Sequence, residues 1–237
     1  FGVGTQRVVE EMAALFPEAC VVRWDRDVTR RKGSHDRLLD AFTKHEADVI
    51  VGTQMIAKGL DLPLVTLVGI VSADIGLHLP DFRAGERTFQ LLAQVAGRAG
   101  RRDLGGQVVL QTYTPEHYAL QAAAAHDYRA FFQEEIAFRR DAHYPPFGRL
   151  VRFVTTATNP ARARSAAEEL ARRIEAEIVA QGQADAGVIG PASAFLERVR
   201  NRYRWHLLLR APDVHPILDA LGPLPGWIVD VDPVSML

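Results

Sequence analysis

The chain has 237 residues, 48% of them apolar and 24% charged, with a formal net charge of −1 at pH 7. That length accommodates one large domain or two small ones, and the ordinary globular composition excludes a disordered or low-complexity chain. No apolar run is long enough to span a bilayer and no signal peptide precedes the first helix, so a reduced, cytoplasmic setting is expected.

Thr5 is placed to cap a helix running to about Phe16, with Val8, Val9, Met12, Ala13 and Leu15 on its apolar side. Pro17 stops it, and Cys20 to Trp24 is expected as a buried strand, with Cys20 a small buried hydrophobe at its start. This lone cysteine rules out an internal disulfide or a cysteine zinc cluster, and the eight histidines lack ligand spacing. No metal is expected. Ser34 opens a second helix with Leu38, Leu39 and Phe42 on one side. Strands follow at Asp48–Gly52, Leu64–Val71 and Gln107–Thr112, with an amphipathic helix from Arg87 to Val95 before the last. Phe89, Leu91, Leu92 and Val95 form its apolar face, and Phe82, Phe89 and Phe131 are expected in the core. Helix alternating with strand at this rhythm implies parallel strands with covering helices, which bind ligands at the strands' carboxyl ends.

Pro115 to Asp141 has a helical pattern that Tyr144-Pro145-Pro146-Phe147-Gly148 breaks. The expected organisation is a first domain over 1–125, a linking helix and Pro-rich turn over 126–147, and a C-terminal domain over 148–237. Beyond the break come strand Leu150–Thr156, helix Pro160–Gln181, a short strand at Gly187–Ile189, strand Tyr203–Arg210, helix Asp213–Leu221 and strand Trp227–Val231. That order is βαββαβ, a small α+β ferredoxin-like arrangement. Glu168, Glu169, Arg172 and Arg173 are spaced for a solvated, salt-bridged helix face.

The chemistry concentrates in Gln94-Val95-Ala96-Gly97-Arg98-Ala99-Gly100-Arg101. A helix ends at Gly97 and two guanidiniums follow, three residues apart. Arginine stays charged, and its planar fork fits phosphate oxygens. The segment resembles motif VI of superfamily 2 helicases, Gln-x-x-Gly-Arg-x-Gly-Arg, at every defined position. Upstream, Gly52-Thr53-Gln54-Met55-Ile56-Ala57-Lys58-Gly59-Leu60-Asp61-Leu62-Pro63 resembles motif V. With Leu79-Pro80-Asp81-Phe82-Arg83 and Val229-Asp230-Val231-Asp232-Pro233, the wording is similar to the bacterial replication-restart helicases from about Gly4 to the last residue.

The resemblance implies a RecA-like second helicase lobe with an incomplete parallel sheet, followed by the C-terminal domain. It implies that Arg98 and Arg101 face the triphosphate and that Gln94 orients groups there. Gly59, Asp61 and Gly97 would lie near the nucleotide, and Thr53 and Gln54 would touch the nucleic-acid backbone. Lys58 reads equally well as a solvated lysine. The parent would be an ATP-dependent 3′-to-5′ DNA helicase using ATP and magnesium, acting on branched and single-stranded DNA. Single-strand-binding and primosome proteins would be its partners, and a zinc-binding cysteine module would precede this stretch. No Gly-x-x-x-x-Gly-Lys-Ser/Thr and no Asp-Glu-x-His occurs here. Since the chain also opens on Phe-Gly, it is expected to be an excised piece without ATPase activity of its own. A non-catalytic DNA- or protein-docking module is the alternative.

Arg198-Val199-Arg200-Asn201-Arg202-Tyr203-Arg204-Trp205 is the second candidate. As one strand it lines up Arg198, Arg200, Arg202 and Arg204 on one side, about 7 Å apart, to follow a phosphate backbone. A loop at Asn201 would instead bring the aromatics to the same surface, for stacking on bases. Read blandly, it is a solvated sheet face with Trp205 in the core. Asp81-Phe82-Arg83 is either a simple turn or a coupling element between nucleotide state and DNA grip.

Overall fold

The computed structural model describes residues 4–25, 40–44, 46–53, 65–97 and 106–237. Contacts divide the chain into two compact units, one of Phe1–Leu79 with Ala84–Phe131, the other of Pro80–Arg83 with Phe132–Leu237. The division therefore falls inside a helix rather than at Pro145-Pro146, and a four-residue loop from the first stretch belongs to the second unit.

In the first unit, helix α1 (Thr5–Leu15) precedes strand β1 (Val21–Trp24). Gly4, not Thr5, occupies the cap position. The Thr5 hydroxyl instead donates to the buried Asp25 carboxylate at 2.7 Å, and Arg23 Nε lies 3.0 Å from the same oxygen. One carboxylate thus pins the start of α1 to the end of β1. Cys20 is exposed, against expectation. It sits one residue ahead of β1, where its N–H donates to Asp48 Oδ2 at 2.8 Å. β1 pairs in parallel with β2 (Val49–Gly52), and β3 (Leu67–Ile70) pairs in parallel with β4 (Gln107–Leu110). The parallel strands are those expected, each shorter, and among the described residues they form two separate two-stranded sheets. The helix expected from Ser34 lies mostly outside the described residues; residues 40–43 are helical.

Helix α2 (Asp74–Leu77) leads to α3 (Ala84–Ala96), followed after β4 by α4 (Tyr118–Ala124) and α5 (Tyr128–Asp141). Phe89 and Leu92 of α3 bury themselves among Ala119, Leu120, Ala122, Ala123 and Phe131. Leu91 and Val95 are only half-buried. The Phe89 and Phe131 rings stack at 4.2 Å. At Gly76 an added Cβ would sit 2.7 Å from the Thr88 hydroxyl, so any larger residue there would force the Thr88 side chain between α2 and α3 to shift. The single helical stretch expected over 115–141 is two helices. His126 takes φ 53°, and Asp127 Oδ1 accepts from Ala130 N–H at 2.9 Å to start α5 afresh.

The second unit is the expected βαββαβ domain. It comprises β5 (Arg149–Ala157), α6 (Pro160–Ala180), β6 (Gly187–Val199), β7 (Arg202–Ala211), α7 (His215–Leu221) and β8 (Trp227–Val231). Its sheet runs β6-β7-β5-β8, every neighbour antiparallel. Asn159 caps α6 by accepting from Ala161 N–H at 2.8 Å, with Pro160 in the first turn. Alternation in β5 sends Val151 and Phe153 to the helix-covered face, where Ala167, Leu170 and Ile174 of α6 and Ile217 and Leu221 of α7 close over them. Burying a side chain such as Phe153 contributes about 1.5–3 kcal/mol. On the opposite face Leu150 and Leu208 pack with Phe82 and Met236.

β6 is far longer than the expected Gly187–Ile189. Gly190, Pro191, Ala192 and Ser193 disguise it, because glycine and proline normally interrupt strands. The strand survives as an edge, with register shifts between Ile189 and Ala192 and between Ser193 and Arg198.

Candidate nucleotide and nucleic-acid sites

Thr53 follows β2 directly and is exposed, at the carboxyl end of a parallel strand where such sheets receive ligands. Gln54, Gly59 and Asp61 lie outside the described residues, as do Arg98 and Arg101. The helix that leads to those arginines is described up to its end. Gln94 stands on the exposed side of α3, away from Phe89 and Leu92. Gly97 follows the last helical residue, its N–H donating to Ala93 at 3.0 Å. A buried, stacked face therefore fixes the helix, and its solvent side carries the polar motif residue.

The neighbouring strand pair ends in a clamp. Asp74 is buried beyond β3 and accepts from the Thr112 and Thr114 hydroxyls at 2.8 and 3.0 Å and from Tyr113 N–H at 3.1 Å. Burial pushes its carboxyl up, but these hydrogen bonds together outweigh it and leave its pKa below the ordinary value. Tyr113, held by its backbone, stays 86% exposed.

In the second unit Arg198 to Trp205 is a hairpin, not one strand. Arg200 and Asn201 form its two-residue tip with φ of 48° and 64°, the left-handed geometry that matches the twist of the flanking strands. Register puts Arg198 opposite Tyr203 and Val199 opposite Arg202. The expected row of four arginines is broken at the tip. Arg198 lies on the Tyr203 side, its guanidinium 5.1 Å from that ring and its Nη2 2.7 Å from Asn201 Oδ1. Arg202 turns back to Thr156, donating to its hydroxyl at 2.9 Å and its carbonyl at 2.8 Å. Trp205 packs against the helix-side core. Of the four arginines, Arg200 and Arg204 make no hydrogen bond or ion pair with a described residue. Phe195 and Leu196, in the register shift of β6, are exposed at 57% and 59%.

Sequence reasoning missed the rest of that sheet face. Arg152 pairs with Asp230 at 3.3 Å and donates to the Leu237 main-chain oxygen at 2.6 Å. His206 is half-buried beside it; burial lowers its pKa from the ordinary 6.5, and the nearby Arg152 and Arg204 charges act in the same direction. Strand alternation would have revealed both, since they are out of phase with Val151, Phe153 and Leu207. At the edge Arg149 holds Asp232, Nε to Oδ2 3.0 Å, and this hydrogen bond keeps the Asp232 carboxyl below its usual range. The α6 face is salt-bridged as expected, with Arg164–Glu168 and Arg172–Glu169 both at 2.6 Å. Arg173 differs, for it donates to the Leu221 carbonyl at the end of α7.

Asp81-Phe82-Arg83 is no simple turn. Asp81, 8% exposed, accepts from Arg83 N–H at 3.0 Å and from Met236 N–H at 3.1 Å. Phe82 stacks on Tyr144 at 5.4 Å. Arg83 Nη1 donates to the carbonyls of Pro233 and Val234 at 2.9 and 3.0 Å.

Among the described residues no helix is long and apolar enough to cross a membrane, and no three His, Cys, Asp or Glu side chains come together as metal ligands. Residues 17–103 match the helicase conserved C-terminal domain, and residues 140–234 match the primosomal protein N C-terminal domain. The replication restart protein PriA of Bacillus subtilis (strain 168) is 48% identical over 210 residues, 89% of this chain and 26% of that protein. Its namesakes in Synechocystis and Treponema pallidum are both 42% identical across 100% of this chain, covering 29% and 36% of their own lengths. The chain thus spans about a quarter to a third of the relatives it matches. It belongs to the PriA replication restart family, and it carries that family's helicase C-terminal and primosomal C-terminal domains.

Proposed function

We propose that this chain is the part of an ATP-dependent 3′-to-5′ DNA helicase that completes the nucleotide cleft and grips DNA where replication is restarted. The observation that carries the reading is the order of the two family matches, with the Gln94–Arg101 motif near the end of the helicase stretch. ATP with magnesium, held by a lobe outside this chain, supplies the γ-phosphoryl group and its counter-charge. Arg98 and Arg101 present fixed positive forks to the charge that spreads over the leaving phosphoryl oxygens. Gln94, on the solvent side of α3, orients groups in the cleft, while Gly59, Asp61 and Gly97 line it. Thr53 and Gln54 touch the DNA backbone, and Arg198, Arg200, Arg202 and Arg204 serve the second DNA-binding surface. Of these four, Arg200 and Arg204 have charges uncommitted to other described residues, which suits them to phosphate. Structural zinc outside this chain, cytoplasmic location, and single-strand-binding and primosome proteins as partners complete the reading.

The test is DNA-stimulated ATP hydrolysis. This chain alone should show none. The full-length protein should hydrolyse ATP when DNA is added, and Arg101→Ala should reduce kcat by about a thousandfold or more, as loss of an arginine finger does. Turnover by the isolated chain, or an Arg101→Ala variant at wild-type rate, overturns the reading.

A further inference from the structure

The end of the β6–β7 hairpin has a feature that its arginines alone do not explain. Register pairs Ser193 with Trp205 and Arg198 with Tyr203, so the four residues Ala194–Glu197 of β6 lie opposite Arg204 alone. Such a bulge releases side chains from the alternation that would otherwise send every second one towards the core. Ala194 is buried, but Phe195 and Leu196 stay 57% and 59% exposed. One exposed apolar side chain is ordinary. Two in succession, where an edge strand leaves its partner, are what edge strands usually avoid.

The stem that carries this bulge is braced. Arg202 donates to the hydroxyl and the carbonyl of Thr156 in β5, and Arg198 lies over the Tyr203 ring while bonding Asn201. Charge along the hairpin is one-sided: from Ser193 to Trp205 there are four arginines and a single acid, Glu197. Arg200 at the tip and Arg204 opposite the bulge make no hydrogen bond or ion pair with a described residue. An exposed aromatic ring near such guanidiniums suits a ligand that is apolar on its faces and anionic along its length. Single-stranded DNA is such a chain, with free base faces and a phosphate at every step. In a duplex the bases cover one another, and only the phosphates are left for this surface. A purely apolar protein surface would leave Arg204 without a counter-charge.

We infer that the bulge of β6 is a base-stacking subsite: Phe195 stacks on an unpaired base, Leu196 adds apolar contact, and Arg200 and Arg204 hold the flanking phosphates. This rests on the proposed function and narrows its second DNA surface to single strands. Duplex DNA engages the arginines and leaves Phe195 unused.

The experiment measures binding of the full-length protein to oligothymidylate and to a duplex of equal length over a series of salt concentrations. Phe195→Ala should weaken oligothymidylate binding about tenfold, within the range of base–aromatic stacking. Its duplex affinity and its salt slopes should stay at wild type, because a neutral side chain releases no counterions. Phe195→Trp should bind as the wild type does, whereas Phe195→Leu, apolar but without a π-face, should stay weak. An oligonucleotide carrying iodouracil should photo-cross-link to Phe195 when single-stranded and not when paired. Thermal midpoints verify that each variant is folded.

Unchanged oligothymidylate binding by Phe195→Ala, full recovery in Phe195→Leu, or no cross-link at Phe195 overturns the inference. So does a loss of self-association in place of a loss of DNA affinity, which would give the bulge to a second copy of the chain. If Arg200→Glu with Arg204→Glu also leaves both affinities untouched, the DNA reading of this surface falls as well. If that pair weakens both affinities while Phe195→Ala weakens neither, only the stacking subsite is lost.

Discussion

The two units solve the same packing problem to different extents. In the C-terminal unit a four-stranded sheet is covered on one face by α6 and α7, and Val151, Phe153, Leu207 and Leu209 are sealed at 0% exposure. In the helicase unit the described strands form two parallel pairs, and Leu67 and Val109 remain 59% and 60% exposed. Parallel sheets normally have both faces covered. The sheet of the C-terminal unit is thus sealed on one face by its helices, whereas among the described residues of the helicase unit the buried cluster lies around Phe89, Leu92 and Phe131, with the Asp25 pin and the Asp74 clamp at the strand ends.

This contrast should be plainest in stability. Phe153→Ala is expected to cost about 3–5 kcal/mol and to unfold the C-terminal unit. Val109→Ala, at an exposed strand position, should stay within about 0.5 kcal/mol. Denaturant titration followed by probes in each unit measures both. Similar losses at the two sites would show that the helicase strands are as well packed as the others.

DNA binding sharpens the comparison next. Arg200→Glu with Arg204→Glu should weaken single-stranded DNA binding about tenfold or more and reduce the salt slope by roughly 1.4. Arg202→Ala should do less, because its guanidinium is already bonded to Thr156. An unchanged salt slope in the double variant would remove this hairpin from the DNA surface.

The smallest effect is expected from His206. Its folded pKa lies below 6.5, so the unfolded chain takes up the proton first as pH falls. The stability of the C-terminal unit is therefore complete above about pH 6.5 and declines on acidification through the lower folded value. His206→Gln should flatten that slope in melts between neutral and mildly acidic pH, with no matching change in the helicase unit. A slope that persists in the variant assigns it to another group.

How much of this was legible beforehand depended on the kind of signal. The parallel strands and the βαββαβ order follow from hydrophobic runs and from punctuation such as Asn159-Pro160. The Gln94–Arg101 segment stood out by its resemblance to a helicase motif, and the structure adds that Gln94 is exposed on α3 and that Gly97 follows its last helical residue. What stayed hidden was long-range. Nothing near Asp81 announces that Met236, 155 residues away, will bond to it. The loop at Asn201 was open as an alternative to one continuous strand, and what the sequence left undecided was that Arg200 shares the left-handed tip with it. Gly190-Pro191 concealed most of β6, whose edge position alone makes the proline tolerable.

That edge has a consequence for solubility. An open sheet exposes unsatisfied main-chain groups at both margins, and a flat, regular margin invites a second molecule to add a strand. Along β6 the proline deletes one donor and the two register shifts spoil the straight run of partners, so a neighbour would find no continuous ladder. The five-residue β8 margin is short, and Asp230 places a charge within it. Irregularity in the outer strands thus keeps neighbouring molecules apart at concentrations where smoother sheets would stick together.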